Sequence, residues 1–235
     1  MTVVRTESVG DTVIVMFARP PANAFDVELA GEFRACMADL TAAPPPGGVV
    51  VTGAGRVFSG GVDFKAVPAY GPDERARMIG HINAAMTMLY GLPTATVAAV
   101  NGHAIGGAFV VMLACDVRLA VDGDAKLALT EVTAGIPYPA APMEVVCAEI
   151  EPSYRRHLVL SGEAISSRAA HEHGLVDELV PANSLVERAV DLARSRAAAL
   201  SYARVKEQLR RDVVARMRTI VETGSDPMLR GWLAP

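Results

Sequence analysis

Two short glycine-bearing turns, each preceded by an apolar run rich in β-branched residues, constrain the fold of this chain most strongly. The first turn covers residues 58–64 (FSGGVDF) and follows residues 49–52 (VVVT). The second covers residues 101–108 (NGHAIGGA) and follows residues 96–100 (TVAAV). Runs of this kind predict buried strands, so each turn is predicted to leave the end of a strand.

The paired glycines would allow both turns to present backbone amides to a ligand. Gly60-Gly61 and Gly106-Gly107 can adopt dihedral angles that other residues avoid, and no Cβ atom obstructs a ligand there. Residues 108–114 (AFVVMLA) have the length of a helix, whose first N–H groups are unpaired and positively polarised. Two such groups aimed at one oxygen form an oxyanion hole. Either pair alone would indicate only a tight turn, but the two together favour a site.

Three segments around these turns resemble the signature blocks of the enoyl-CoA hydratase/isomerase (crotonase) superfamily: residues 53–65 (GAGRVFSGGVDFK), 99–108 (AVNGHAIGGA) and 115–120 (CDVRLA). The likeness spans roughly residues 3–210 and also includes residues 19–24, 131–137 and 169–177. It implies an α/β fold of the crotonase type, built from repeated ββα units in a spiral. The implied core is residues 1–180, with a C-terminal helical region at 181–235 that holds a homotrimer or homohexamer together.

The resemblance also assigns roles at the site. Glu131 matches a catalytic glutamate, and the N–H groups of Val62 and Gly107 match the oxyanion hole. The residues implied to bind coenzyme A or the thioester are Arg19, Ala22, Ala24, Gly61, Val62, Asp63, Phe64, Lys65, Gly106 and Gly107. Arg56 is a further candidate for the phosphates. Ser59 beside two glycines could be a nucleophile, but no local signal supplies it with a base.

Glu131 is the carboxylate on which the chemistry would depend. It lies among apolar and turn residues, where burial would raise its pKa toward the value that a proton-shuttling base requires. The local sequence alone slightly favours a glutamate exposed at a strand end, and the resemblance reverses that preference.

Related hydratases carry a second glutamate where this chain has Val110. A single base suits movement of a double bond from position 3 to position 2 of an enoyl-CoA, so we expect an isomerase. The alternatives are an enoyl-CoA hydratase, with Glu144 or Glu149 as a second acid, and a non-catalytic acyl-CoA binder. Residues 138–143 (YPAAPM) replace a glycine-rich helix start, so the acyl chain length is not inherited from the resemblance.

Composition excludes several other classes. A net charge of −4 argues against a nucleic-acid partner, and no apolar run is long enough for a transmembrane helix. The N-terminus lacks a signal-peptide pattern, which predicts a cytoplasmic location. Dinucleotide, Walker, HExxH and Gly-x-Ser-x-Gly motifs are missing, and the three cysteines are widely spaced. We therefore expect no metal and no cofactor other than the coenzyme A thioester substrate.

Periodicity predicts the helices that flank the site. Asp26 is predicted to cap a helix from Val27, and residues 70–75 are predicted to lead into another. Met78, Met86 and Met88 could line an acyl channel, although core packing is the expected role for most of them. The C-terminal helix is predicted to carry an apolar stripe that packs on the domain or on a neighbouring subunit, formed by Val205, Leu209, Val213, Met217 and Ile220.

Overall fold

The computed structural model describes residues 2–232, which form an α/β fold with two sheets. The larger sheet has the strand order β1-β2-β3-β5-β7-β10, in which β1 and β2 pair antiparallel and every other neighbouring pair is parallel. Its strands are β1 (Val4–Val9), β2 (Thr12–Phe17), β3 (Val49–Gly53), β5 (Thr96–Val100), β7 (Val117–Val121) and β10 (Glu178–Val180).

A smaller sheet with the order β4-β6-β8-β9 lies at the ends of the larger one. Its strands are only three residues long: β4 (Val57–Ser59), β6 (His103–Ile105), β8 (Lys126–Ala128) and β9 (Ala164–Ser166). The first three pair in parallel, and β9 pairs antiparallel with β8. The strands predicted before the two glycine turns are confirmed as β3 and β5. Two further strands were not predicted: β4 overlaps the start of residues 58–64, and β6 lies within residues 101–108. Both are too short to show the alternation that reveals a strand in sequence.

Helices cover both faces of the larger sheet. They are α1 (Val27–Ala42), α2 (Pro72–Tyr90), α3 (Gly107–Ala114), α4 (Glu131–Ala134), α5 (Ala140–Glu149), α6 (Pro152–Ser161), α7 (Ser167–Glu172), α8 (Leu185–Ala197) and α9 (Tyr202–Thr223). Two short 3-10 helices, Val67–Ala69 and Pro227–Arg230, complete the described elements. The predicted cap of α1 is confirmed, because the Asp26 side chain accepts a hydrogen bond from the Leu29 N–H at 2.8 Å.

The core is divided by the larger sheet because successive side chains of a strand point to opposite faces. Val49 and Val51 pack in the larger cluster with α1, α2 and α3, whereas Val50 packs in a smaller cluster beneath α8. Phe17, Phe25, Phe33 and Phe58 meet edge to face in the larger cluster, which anchors α1 beside the first glycine turn.

The C-terminal helix α9 packs against α2 and α5 of the same chain. Met217 is fully buried and Val213 partly buried, whereas Val205 and Leu209 are exposed. The predicted apolar stripe therefore divides into a half that packs on the domain and a half that does not. The boundary predicted at residue 180 stays a prediction. No helix within residues 2–232 is long and apolar enough to cross a membrane.

Candidate active site

Three parallel strands of the small sheet bring the site together. The register pairs Ser59 with Ala104 and Ile105 with Ala128, so the chain leaves β4, β6 and β8 at one edge of this sheet. The two glycine pairs follow β4 and β6 directly, and Glu131 follows β8 after two residues. Because the carboxyl ends of parallel strands point the same way, three segments that are distant in sequence meet at this edge.

The two glycine turns are in direct contact. Gly61 has a φ of 77°, and a Cβ atom there would lie 2.6 Å from the carbonyl oxygen of Ile105. Gly106 has a φ of 57°, and its N–H donates to the Ala128 carbonyl oxygen at 2.7 Å. Both positions therefore require glycine because each has a positive φ. At Gly61, the neighbouring carbonyl group also leaves no room for a Cβ atom.

The turns border a chamber of about 150 Å³, which we call the glycine chamber. Its lining residues are Gly60, Gly61, Val62, Phe64, Ile105, Gly106, Gly107, Thr130, Glu131, Ala134 and Ile136. Within the described part of the chain, the N–H groups of Val62 and Gly107 donate to no protein acceptor. Gly107 is the first residue of α3, so its N–H has no partner inside the helix and stays available to a ligand.

Glu131 is the titratable side chain among the residues that line the glycine chamber, and it is 6% exposed. A Cβ atom added at Gly106 would lie 3.2 Å from Glu131 Oε1, so this oxygen is close to the second turn. Burial raises the pKa of the Glu131 carboxyl above its ordinary value, and its own backbone N–H and the Tyr138 hydroxyl partly offset that rise. The site thus contains an acid whose pKa is raised in the direction that proton transfer near neutrality requires.

A second, smaller pocket adjoins the same turns and shares Gly61, Val62 and Gly107 with the glycine chamber. Its volume is about 30 Å³, room for little more than a water-sized group. All its side chains are apolar, and it is completed by Phe25, Ala30, Phe33, Ile82, Met86 and Val111. We call it the apolar pocket. Of the methionines predicted to line an acyl channel, Met86 lines it, whereas Met78 and Met88 pack in the core.

Arg19 is held by two carboxylates. Its guanidinium donates to Asp63 at 2.7 Å and contacts Asp26 at 2.8 Å. Partial burial alone would raise the pKa of Asp63, but the Arg19 guanidinium and the Lys65 and Ala66 N–H groups lower it. The bridge ties the segment before α1 to the residue after Val62, so Arg19 and Asp63 stabilise the first turn. Their contact with coenzyme A stays a prediction.

The other predicted binding residues lie around the first turn. The Ala22 carbonyl oxygen accepts a hydrogen bond from the Gly60 N–H at 2.8 Å, and Ala24 is partly buried nearby in the chain. Phe64 is exposed at the edge of the glycine chamber, and Lys65 is exposed just beyond it. Arg56 is also exposed.

Ser59 has a structural role. Its side chain is fully buried, and its hydroxyl donates to the Asn23 carbonyl oxygen at 2.7 Å. The same hydroxyl accepts from the Gly61 N–H at 3.2 Å. Ser59 therefore links the loop before α1 to the first turn, which leaves its hydroxyl committed to backbone groups.

The three positions considered for a second acid lie away from the glycine chamber. Val110 is fully buried in the core. Glu144 pairs with Arg216 at 2.8 Å, and Glu149 pairs with Arg118 and accepts from the Tyr90 hydroxyl. Both glutamates are thus engaged with other side chains and neither lines the glycine chamber, so neither supplies it with a second carboxylate.

Sequence reasoning missed the residues that reach the site from distant segments. The apolar character of Phe25 and Phe33 does not reveal their part in the site, and Val111 is one of several apolar residues in the predicted helix 108–114, yet all three line the apolar pocket. Tyr138 was noted only as a departure from a glycine-rich pattern. A tyrosine seven residues after a candidate catalytic glutamate, across a Gly-Ile-Pro turn, was the available signal.

Comparison with known proteins identifies a matching family model and several relatives. The enoyl-CoA hydratase/isomerase family model matches residues 8–227. A Thermus thermophilus protein named "Putative enoyl-CoA hydratase" is 33% identical over 187 residues, which cover 77% of this chain and 73% of that protein. Carnitinyl-CoA dehydratase of Escherichia coli K12 is 30% identical over 202 residues, covering 84% and 76%.

Solved structures show the same architecture. The crystal structure of an enoyl-CoA hydratase from Bacillus anthracis superposes with a TM-score of 0.80 at 27% identity, covering 95% of this chain and 90% of that one. An enoyl-CoA hydratase/isomerase family protein from a Pseudomonas species superposes with a TM-score of 0.86 at 19% identity, covering 98% of both chains. The predicted α/β fold class with a C-terminal helical region is confirmed.

Proposed function

Because the chain belongs to the enoyl-CoA hydratase/isomerase family, we propose that it moves the double bond of a 3-enoyl-CoA to the 2-position. One observation carries this proposal: the glycine chamber combines two unpaired backbone amides with a single carboxylate. Moving a double bond requires one base that takes and returns a proton. Adding water requires a second group to hold and activate that water.

The proposed mechanism uses only groups of this chain. The thioester oxygen accepts from the Val62 and Gly107 amides, and ionised Glu131 removes a proton from C2. The electrons of the C2–H bond form a dienolate, whose negative oxygen the two amides stabilise. Protonated Glu131 then delivers the same proton to C4, which leaves the double bond between C2 and C3. Losing one backbone donor of this kind typically costs about 3 kcal/mol of barrier stabilisation.

The substrate would lie across both cavities. We propose that the acyl chain enters the apolar pocket and that coenzyme A leaves past the exposed Phe64. The bound thioester and nucleotide would be bordered by the residues predicted to bind them: Arg19, Ala22, Ala24, Gly61, Asp63, Phe64, Lys65 and Gly106. The apolar pocket has a volume of about 30 Å³, so its walls would have to move apart to admit even a short acyl chain. The enzyme would require no cofactor or metal beyond the coenzyme A of its substrate.

The assembly proposed for this enzyme is a homotrimer, or a homohexamer formed from two trimers, located in the cytoplasm. The exposed residues Val205 and Leu209 on α9 and Leu200 before it would contribute to the contact between subunits, since large apolar side chains are seldom left in water together.

Hydration of a 2-enoyl-CoA is the second candidate, and the names of the relatives favour it. The Thermus thermophilus relative is named a hydratase and the Escherichia coli relative a dehydratase. In this reading, Thr130, whose side chain also lines the glycine chamber, would help Glu131 to hold the water.

The decisive experiment supplies purified protein with 3-hexenoyl-CoA and, separately, with crotonyl-CoA. Conversion of the first to 2-hexenoyl-CoA, with no hydration of the second, is the expected result. Water addition to crotonyl-CoA without isomerisation would establish the hydratase instead, and binding without turnover of either would establish a non-catalytic binder.

The base is tested by Glu131→Gln, which keeps the size of the side chain and removes its charge. Isomerase activity is expected to fall by roughly 100- to 10,000-fold, the usual contribution of a general base. Glu144→Gln is the matched control, because Glu144 pairs with Arg216 away from the chamber, and it should leave activity unchanged. Full activity of Glu131→Gln would eliminate the proposed mechanism.

A further inference from the structure

Glu131 and Tyr138 each present a buried polar atom without a partner. Oε2 of Glu131 and the hydroxyl oxygen of Tyr138 are both inaccessible to solvent, and neither forms a hydrogen bond of ordinary geometry within residues 2–232. A buried polar atom without a partner costs free energy. Two of them in one site therefore require an explanation.

The two groups are chemically complementary and close together. A carboxylate oxygen accepts hydrogen bonds and a phenol donates one. Burial and the charge of Glu131 together raise the pKa of the Tyr138 hydroxyl, and the tyrosine in turn lowers the pKa of Glu131. Such mutual effects act only at short range, so the hydroxyl and the carboxylate are neighbours.

The backbone holds Tyr138 against Glu131. The Ile136 N–H donates to the Glu131 carbonyl oxygen at 3.0 Å, which closes the turn between them. On the other side, the Ala140 N–H donates to Asp226 at 2.8 Å. Tyr138 thus lies between two anchored points.

Tyr138 does not line the glycine chamber, so its hydroxyl does not face the reacting atoms. The carboxylate oxygen near Gly106 is Oε1, whereas the solvent-inaccessible oxygen is Oε2. The arrangement leaves Oε1 for the substrate and Oε2 for the tyrosine.

We propose that Tyr138 is a positioning residue that donates a hydrogen bond to Oε2 of Glu131 during turnover; this inference rests on the function proposed above. The bond fixes the carboxylate plane and keeps the transferred proton on Oε1. The C2–H bond then breaks and a bond from hydrogen to Oε1 forms, and the same oxygen returns that proton to C4. Tyr138 itself neither gains nor loses a proton.

Tyr138→Phe tests this role because it removes the hydroxyl and keeps the ring. The kcat for 3-hexenoyl-CoA is expected to fall by roughly ten- to a hundredfold, the range for losing a hydrogen bond to a charged group, with little change in KM. The hydroxyl lowers the pKa of Glu131, and Glu131 must be ionised to act as a base. The acidic limb of the kcat/KM profile should therefore move to higher pH. Tyr154→Phe, which removes a hydroxyl from α6 while its ring stays stacked on His173, should change neither quantity.

A second measurement does not depend on activity. In a double-mutant cycle of Tyr138→Phe and Glu131→Gln, the melting temperature is measured at pH 4 and at pH 8. Tyr138→Phe should lower the melting temperature more at pH 8 than at pH 4, and this difference should vanish in the Glu131→Gln background.

The outcomes separate the two proposals. An unshifted acidic limb in Tyr138→Phe, with Glu131→Gln inactive, would overturn the role of Tyr138 and leave the proposed function standing. Full activity of Glu131→Gln would overturn the proposed function. In that case, equal effects of Tyr138→Phe on melting at pH 4 and pH 8 would overturn the pairing of the two side chains as well.

Discussion

At the scale of single residues, the buried carboxylate of Glu131 should reduce the stability of the folded protein. Burial raises its folded-state pKa above the unfolded value, so between these two values the folded state binds more protons than the unfolded state. The protonated acid stabilises the folded protein fully at pH values below the unfolded-state pKa of Glu131. This stabilisation is lost as pH rises through the folded-state pKa. Ionisation of Glu131 thus opposes folding at neutral pH.

Replacing this residue should therefore stabilise the chain. Glu131→Gln is expected to melt at a higher temperature than the unsubstituted protein at pH 8, and the difference should shrink toward pH 4. Thermal unfolding at the two pH values measures it. If Glu131→Gln raised the melting temperature less at pH 8 than at pH 4, the prediction that the buried carboxylate opposes folding when ionised would be contradicted.

Gly61 provides a second test at this scale. Gly61→Ala should abolish most activity and destabilise the protein, because its Cβ atom would lie 2.6 Å from the Ile105 carbonyl oxygen at a φ of 77°. Gly55 has a similar φ of 73°, but a Cβ atom there would have no neighbour within 4 Å. Gly55→Ala should therefore cost only the backbone strain of about 1–3 kcal/mol and keep the activity. Equal effects of the two substitutions on activity would argue against contact between the turns.

At the scale of elements, a buried ion cluster fastens α9 to the core. Asp116 accepts from Lys206 and Arg210, both at 2.9 Å, and the side chains of all three are less than 10% exposed. Arg210 also donates to the carbonyl oxygens of Tyr90 and Ala114 and lies over the Tyr90 ring. Removal of the acid would leave two buried cations without their shared counter-charge.

Asp116→Asn is therefore expected to destabilise the protein by about 3–5 kcal/mol, measured by urea unfolding. Asp122→Asn provides the control, because its pair with Arg168 at 2.8 Å is exposed and should be worth at most about 1 kcal/mol. A cost for Asp116→Asn as small as that of the control would show that the charge of Asp116 contributes little to the attachment of α9.

Helices α1, α2 and α3 together shape the apolar pocket, so its size depends on how they pack. Met86→Ala should enlarge it and raise the kcat/KM of longer acyl-CoA substrates relative to shorter ones, at a stability cost of about 2–5 kcal/mol. Met78 is equally buried but does not line the pocket, so Met78→Ala should cost similar stability without changing chain-length preference. Competition between hexenoyl and decenoyl substrates measures the ratio, and an equal shift in both variants would exclude the apolar pocket as the acyl site.

At the scale of the whole molecule, the exposed apolar residues near the start of α9 predict association between chains. Leu209 is 80% exposed and Val205 is 57% exposed, one helical turn apart. Leu209→Asp should shift the protein toward monomer in size-exclusion chromatography with light scattering. Leu160→Asp alters another exposed leucine, on α6, and serves as the control. A Leu209→Asp protein with unchanged mass would place any subunit contact elsewhere.

Local signals were sufficient for much of this molecule. Some features depend only on residues a few positions apart, so they can be predicted from the sequence. These are the Asp26 cap, the apolar runs of β3 and β5, and the periodicity of α1, α2 and α9. The glycine pairs and Val110 can likewise be recognised in the sequence itself. From these, an α/β chain could be predicted, and the family resemblance added the crotonase type of fold and the roles of Glu131, Val62 and Gly107.

What depended on folding was which distant groups meet. Three-residue strands carry too little pattern to predict, yet the pairing of β4, β6 and β8 brings the turns and Glu131 to one edge. The partners of Arg19, the apolar pocket and the proximity of Tyr138 to Glu131 likewise follow from packing between segments. Contacts of this kind form only when the whole core packs, so they cannot be predicted from any short segment of the sequence.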